Sequence, residues 1–420
     1  MQLREHNGKM YIGDLCFENI ADEYGTPFYL YDLNTLKRNI YRVKKAFGDS
    51  IELFYAVKAN SNLEILKAIR NDVDGLDISS AGEMEQSLLA GYQAAQLSFA
   101  GPGKTRFELE EAIKHNIGII SVESFRELRE LIDIAKAQRR KANIALRINP
   151  RLLIKEFPIK MGGRPTQFGI DEEDIDKAVE YVEQNQGAFN LLGIHVYAGT
   201  QCMNEQALVL NLTNTLHLAA NLQKTHGLQS KWINLGGGFG VSYYDENKEV
   251  DLDLIAPSLK KAVHGYQTLT RRQPRIILEL GRYLIAEAGI YVTRVISQKV
   301  SRGEGFFLLD GGMNHHLAAS GNLGSGLRRN YLIKNLSQPS AKKQICSLVG
   351  PLCTPLDLMA KSVSIQSPKI GDIIGIMNSG SYGFTASPLL FLGHDTPLEL
   401  FLSKNQISII RRRKVIRDFN

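Results

Sequence analysis

Short, almost continuously apolar runs alternate with charged segments of helical period through the first two-thirds of the chain. The runs at 51–59 (IELFYAVKA), 75–80 (GLDISS), 97–100 (LSFA), 117–122 (IGIISV), 143–149 (NIALRIN), 190–198 (NLLGIHVYA), 232–238 (WINLGGG) and 275–280 (RIILEL) predict strands. Amphipathic stretches at 62–71, 82–91, 107–115, 124–139 and 172–186 predict helices between them. Apolar strands joined by helices signal a parallel sheet covered on both faces. Eight such units close a TIM-type (β/α)8 barrel; an open doubly wound sheet is the competing architecture. The polar residues favour the barrel. Lys58, Asp77, Arg147, His195, the glycines Gly236, Gly237 and Gly238, and Glu279 each stand at or just past the C-terminal end of a run. In a barrel those ends converge on one mouth, so separate signals share one pocket.

After about residue 290 the period changes. Segments such as YVTRVISQKV, FFLLDGG, QICSLVG and DIIGIMNSG are short, β-rich and bounded by Gly, Pro or Asp. They predict an all-β C-terminal domain, which the N-terminal segments KMYIGDLCF and TPFYLYD join as further strands. The expected partition is a barrel over 35–280 and a β domain built from 1–34 and 281–420.

A length of 420 residues fits two domains, and ordinary apolar and charged fractions of 44% and 22% leave ample material for a core. The formal charge of +6 is too modest for this length to indicate nucleic acid. The basic run Arg411-Arg412-Arg413-Lys414 reads as a solvated tail or, more sharply, as a docking patch for an acidic partner. Cys16, Cys202, Cys346 and Cys353 form no CxxC pair, which argues against a zinc site or disulfide framework. The N-terminal MQLREHNGKM lacks an apolar signal core, and no apolar stretch is long enough to span a bilayer, so a cytoplasmic enzyme is expected.

Three elements carry chemistry. Lys58, in FYAVKAN, ends a buried strand. Desolvation lowers the pKa of an ammonium and makes the amine a nucleophile toward an aldehyde, although a lysine snorkelling at a strand end is the bland alternative. LGGGFG (235–240) puts successive glycines after a strand, where backbone N–H groups can close on an anionic oxygen. It lacks the GxGxxG pattern of a dinucleotide site, and a plain tight turn is its bland alternative. LELGR (278–282) sets Glu279 and Arg282 at one strand-to-loop junction, where the preceding RIIL makes exposure of the pair unexpected.

Taken together, FYAVKAN, DISSAGE, LRINP, LGGGFG, LELGRY, GPLCTPLD and NSGSYG, in this order, resemble the fold-type III pyridoxal-phosphate (PLP) decarboxylases, the diaminopimelate and ornithine decarboxylase group. The resemblance runs from TPFYLYD (26–32) to FLGHDTPLE (391–399), and AGPGKT, IKMGGRPTQFG, HVYAGTQ and CTPLD are closest to the branch that includes the butirosin-pathway glutamyl-acyl carrier protein decarboxylase. The resemblance implies that Lys58 is the Schiff-base lysine. It implies that Gly236, Gly237, Gly238 and Tyr382, with Thr200 and Arg282 nearby, hold the cofactor phosphate, and that Glu279 pairs with the pyridine nitrogen. A carboxylate there keeps the ring protonated and able to accept the electrons left when CO2 departs. Asp77, Glu83 and Arg147 would support cofactor and lysine from beneath. Cys353 and Asp357 resemble residues brought from the other subunit of a homodimer with shared active sites, where Cys353 would return a proton to the substrate α-carbon; Arg282 and Tyr382 would join them in binding substrate.

Two positions depart from the diaminopimelate enzymes. Tyr197 stands where they carry a histidine that stacks on the cofactor, so stacking would pass to a phenol with His195 behind it, His195 itself being the alternative stacking ring. Thr354 stands where they carry a glutamate that grips the distal amino end of the substrate. Both changes weaken diaminopimelate as substrate. They favour an amino-acid conjugate, such as an aminoacyl thioester on an acidic acyl carrier protein or a siderophore or other secondary-metabolite intermediate, with lysine biosynthesis as the alternative. A non-catalytic PLP-binding module is the rival of another class, and the additional β domain argues against it. An amino-acid racemase on this fold would set an arginine rather than Glu279 against the pyridine nitrogen.

Overall fold

Each of the eight apolar runs forms a strand, and the parallel sheet they make closes on itself. In the computed structural model, which describes residues 1–244, 248–323 and 329–419, the strands Glu52–Ala56, Gly75–Ile78, Leu97–Phe99, Ile119–Val122, Ala142–Asn149, Phe189–His195, Trp232–Gly237 and Arg275–Leu280 follow one another around a barrel, and the last pairs with the first. Helices Leu63–Ile69, Ala81–Leu89, Arg106–Lys114, Phe125–Gln138, Ile175–Gln184, Glu205–His226 and Leu252–Thr270 come between or after strands. Most begin on a polar cap: the side chains of Asn62, Ser80, Thr105, Ser124, Asn204 and Asp251 each accept a backbone N–H of the first turn.

The barrel interior is filled. Phe54, Ile119, Ala145, Trp232 and Ile277 form a buried cluster, with Phe54 and Trp232 edge to face at 5.3 Å. Gly75 makes room for it, since a Cβ there would lie 2.4 Å from the Phe54 ring. The strand ends differ from the expectation in one informative place. The first strand stops at Ala56, and Lys58 sits in the 3-10 turn Val57–Ala59 beyond it. The turn lifts the amine clear of the packed interior, and the lysine is half-buried where its flanking residues are buried.

The chain forms two compact units: Ile40–Val241 with Glu249–Tyr283, which contains the barrel, and Met1–Asn39 with Ser242–Lys248 and Leu284–Asn420. The second unit is built on a nine-stranded sheet whose main path runs Leu358–Gln366, Lys343–Val349, Glu304–Leu309, Gly289–Ser301, Phe28–Asp32, Leu398–Ser403 and Gln406–Arg411. The N-terminal strand Phe28–Asp32 completes this sheet, antiparallel to Gly289–Ser301 and parallel to Leu398–Ser403. Phe28, Leu30, Ile290, Val292, Ile373 and Leu400 form its apolar core with Phe17 and Ile20. The last two lie on a helix, Phe17–Tyr24, which fills most of the stretch between the two segments expected as strands; its apolar face covers the core.

The basic run near the C-terminus is not a free tail. Arg411 ends the last strand, where it pairs with the buried Glu399 and lies 4.5 Å over the Phe384 ring. The Arg413 guanidinium donates to the Gly25 and Pro27 carbonyls at 3.3 and 3.1 Å. Among the described residues no helix is long and apolar enough to cross a membrane, and no group of three or more metal-ligating side chains is assembled.

Candidate active site

Within the barrel unit, strand ends deliver the polar residues to one place. Lys58 Nζ lies 3.4 Å from Asp77 Oδ2 and 5.4 Å from the centre of the Tyr197 ring. Glu279, buried at the end of the eighth strand, is held on both oxygens: Asn234 donates to Oε1, and His195 Nε2 lies 3.4 Å from Oε2. The other His195 nitrogen meets Ser121 Oγ at 3.0 Å. Arg147 donates to Glu123 at 2.7 Å in a buried ion pair, and its guanidinium lies 5.0 Å over the Phe168 ring. Glu83 accepts the Ser79 N–H at 2.7 Å beside this group.

The carboxyls respond to these surroundings in opposite directions. Burial, reinforced by the neighbouring Glu279, pushes Asp77 well above the usual carboxylate range, and Lys58 and Arg147 only partly oppose it. Burial also works to raise Glu279, but His195, Lys58 and Asn234 outweigh it and hold the carboxyl below its ordinary value. Glu123 is likewise held low, because Arg147 and Lys104 overcome its burial. Glu83 is raised by burial. Two carboxyls in one pocket, one driven toward the acid and one held as the anion, form an acid/base pair.

The glycine segment closes the mouth on one side. Gly236 and Gly238 have φ of +66° and +88°, and a Cβ on Gly237 would lie 1.9 Å from the Glu279 carbonyl oxygen. A Cβ on Gly238 would lie 2.2 Å from the Gly199 carbonyl, so the chain can pass here only without side chains. Asn234 Oδ1 accepts the Gly236 N–H at 2.9 Å, and Cys202 N–H donates to the Gly238 carbonyl at 3.0 Å. Thr200 is half-buried next to this turn, in a short pairing with Ile159–Lys160. Arg282 opens the helical turn that follows the eighth strand.

Several further residues complete this set. Glu123 follows the fourth strand, and Asn234 precedes the glycines. Position at a strand's C-terminal end could have found Glu123. Ser121 and the buried pair Lys104–Glu127 carry no such signal, because their partners are known only once the chain is folded: Lys104 Nζ also donates to the carbonyls of Gly101 and Ser121 at 2.7 and 2.8 Å.

In the other unit, Cys353 is exposed on the loop 350–357, and Thr354 beside it is half-buried. Asp357 points inward, accepting the backbone N–H groups of Met313 and Leu352 at 2.7 and 2.8 Å, and burial raises its pKa. Gly312 and Gly350 pack against its oxygens so closely that a Cβ on either would collide with them. Tyr382 adopts a φ of +52° in the NSGSYG turn.

The barrel residues fit PLP. Lys58 offers an amine for its aldehyde, and Glu279, held as the anion, suits a protonated pyridine nitrogen. The side-chain-free turn at Gly236–Gly238 suits a phosphate. Asp77 Oδ1 is buried without a hydrogen-bond partner, a polar atom that a bound group would satisfy. Residues 33–286 match the family described as pyridoxal-dependent decarboxylase, pyridoxal binding domain. The chain is 37% identical over 398 residues to L-glutamyl-[BtrI acyl-carrier protein] decarboxylase of Niallia circulans, covering 94% of this chain and 92% of that one. It is 32% identical to the diaminopimelate decarboxylase of Campylobacter jejuni, covering 96% and 97%. A crystal structure of diaminopimelate decarboxylase from Helicobacter pylori complexed with L-lysine superposes with a TM-score of 0.86 at 31% identity, covering 96% of this chain and 98% of that one. The chain belongs to the pyridoxal-dependent decarboxylases of fold type III, and it is an amino-acid carboxy-lyase that works with PLP.

Proposed function

We propose that this enzyme decarboxylates the amino-acid end of a conjugate, in first place an aminoacyl thioester on an acyl carrier protein, at a site built on Lys58. The observation that carries the substrate reading is the loop 350–357. Its single carboxylate, Asp357, is turned inward onto Met313 and Leu352, and Thr354 takes the place of the glutamate expected of an enzyme that grips a distal ammonium group. The loop therefore offers no charge to the far end of diaminopimelate. The relative from Niallia circulans, whose name specifies a glutamyl carrier-protein substrate, agrees with this reading.

In the proposed site Lys58 would hold the cofactor, the glycines Gly236–Gly238 with Thr200, Arg282 and Tyr382 would hold its phosphate, and Tyr197 would face its ring. PLP supplies the electron sink for the pair left behind when the carboxylate leaves. Glu279, kept ionised by His195, Lys58 and Asn234, would keep a proton on the pyridine nitrogen. Asp77, driven toward protonation and 3.4 Å from Lys58 Nζ, exchanges a proton with that amine. Arg147, fixed by Glu123, and Glu83 keep Asp77 and Lys58 in place. Cys353 returns the proton to the substrate α-carbon in a homodimer whose second copy contributes the 350–357 loop, with Arg282 and Tyr382 binding substrate. Asp357 serves the substrate through that loop, by holding Cys353 and Thr354 in position.

The test is CO2 release by the holoenzyme from an L-glutamyl carrier-protein thioester and from meso-diaminopimelate. The conjugate should be preferred in kcat/KM by about 10²-fold or more, roughly 3 kcal/mol of transition-state discrimination. Efficient turnover of free diaminopimelate, with kcat/KM on the order of 10⁴ M⁻¹s⁻¹, returns the chain to the lysine pathway.

A further inference from the structure

On the outside of the barrel, helices Glu205–His226 and Leu252–Thr270 leave a groove of about 490 Å³ between them. Its walls are mostly apolar, with Leu216, Ala220, Ala262 and Leu269 among them, and His217 and Lys261 add polar groups to the lining. Leu269 is 76% exposed, and Leu254 and Leu210 are exposed on the same two helices. An apolar groove that no element covers among the described residues marks an interaction site.

The charge around this strip has one sign. From Gln206 to Lys231, and again from Leu254 to Leu278, the chain contains no Asp or Glu. Lys224, Lys260, Lys261, Arg271 and Arg272 are all exposed there, and none has a carboxylate partner among the described residues. The neighbouring acid Asp176 is taken by His226, and Glu52 by Arg275. The basic run at 411–414 offers less, since Arg411 and Arg413 are committed to Glu399 and to backbone carbonyls.

We propose that the groove between these two helices is the docking surface for an acidic, helical protein, the carrier that presents the substrate. The proposal rests on the carrier-bound reading of the active site. An amphipathic helix laid in the groove would bury its apolar stripe against Leu216, Ala262 and Leu269 and face its acids toward Lys260, Lys261 and Arg271. The surface is well placed for a tethered substrate. The helix Glu205–His226 starts just beyond Thr200 at the barrel mouth, and at 1.5 Å per residue Thr213 lies about 12 Å along it. Leu269, 17 residues into the second helix, lies about 26 Å along it, so a flexible prosthetic arm reaches the mouth from the Thr213 end of the groove, where the carrier's attachment point would sit.

The test uses the holoenzyme and the variant Lys260→Glu/Lys261→Glu/Leu269→Ser, all exposed positions remote from the strand ends, with two probes: the L-glutamyl thioester of an acidic acyl carrier protein and the L-glutamyl thioester of pantetheine alone. The proposal expects KM for the carrier thioester to rise tenfold or more at nearly constant kcat, with the pantetheine thioester unaffected. An unchanged KM for the carrier thioester overturns the groove while leaving the carrier reading intact. A wild-type enzyme that shows no preference for the carrier thioester over the pantetheine thioester, or acts on neither, overturns the carrier reading and the groove with it. Loss of binding to phosphatidylglycerol vesicles with unaltered carrier kinetics assigns the surface to lipid. A variant that becomes monomeric on size-exclusion chromatography assigns it to a second copy of the chain. Either of these results overturns the proposal.

Discussion

The barrel and the sheet unit place their candidate functional side chains in opposite ways. In the barrel, Asp77, Arg147, His195 and Glu279 are buried at the ends of strands, each within reach of another polar group, so backbone geometry and mutual charge hold the constellation ready. In the sheet unit, Cys353 stands exposed on a loop, and the only charge within 350–357 faces inward to hold that loop. The difference teaches what each part contributes. The barrel carries preorganised electrostatics, which act only where water is excluded. The loop carries an exposed thiol, and the proton-donor role proposed for Cys353 depends on what that loop is brought against.

The largest expected effect lies in the barrel. Lys58→Ala should lower kcat by about 10³-fold or more. Borohydride reduction should fix a pyridoxyl group to Lys58 in the wild type and to nothing in the variant, as read by peptide mass. A labelled peptide elsewhere breaks the assignment. The loop comes next: Cys353→Ala should cost about 10²-fold in kcat and raise KM by a smaller factor, because the thiol serves mainly as proton donor and only in part as a substrate contact. Mixing Lys58→Ala with Cys353→Ala subunits should restore part of the activity, and verified heterodimers without recovery would show that the two halves act within one chain.

Asp357→Ala sharpens the contrast, since it removes support from the loop and leaves the barrel untouched. Two buried N–H groups lose their acceptor, at about 1–3 kcal/mol each, which urea unfolding should register together with a fall in kcat. The smallest effects concern the two barrel carboxyls. Glu279 has a lowered pKa, so the stability it contributes is present above the ordinary glutamate value of about 4.3 and is lost as pH falls through its lowered folded value. Asp77 has a raised pKa, so its cost is absent at low pH and grows as pH rises above about 3.9 toward its raised folded value. In cofactor-free protein at neutral pH, Glu279→Gln should therefore lower Tm and Asp77→Asn should raise it, each by about 2 °C or more, while both impair decarboxylation. Shifts of the same sign would show that the two carboxyls do not divide into acid and anion.

Much of this was legible before folding. Eight apolar runs, the helices between them and the polar residues at the run ends named the barrel and its mouth, because strand period and burial are local properties of the chain. Lys58, Asp77, Arg147, His195 and Glu279 stand out as candidates by position alone, and the ordered motifs imply the chemistry proposed for the pocket. The turn that carries Lys58 beyond its strand, the helix Phe17–Tyr24 and the strand that absorbs Arg411 were not legible, since each depends on a surface contributed by distant residues.

What the sequence by itself determined about this protein is which side chains stand at strand ends and which family motifs they belong to. Only the tertiary structure decided their states. Glu279 is held as an anion because His195, 84 positions away in the chain, and Asn234, 45 away, close on its two oxygens. Asp77 is driven toward protonation because the same fold buries it beside that anion. Asp357 faces inward because Met313 and Leu352 present N–H groups to it, and the groove between Glu205–His226 and Leu252–Thr270 exists because two helices that share no acids after their first turns pack side by side. Ionisation and exposure are set by what surrounds a group in space, and the linear order of residues does not contain that distance.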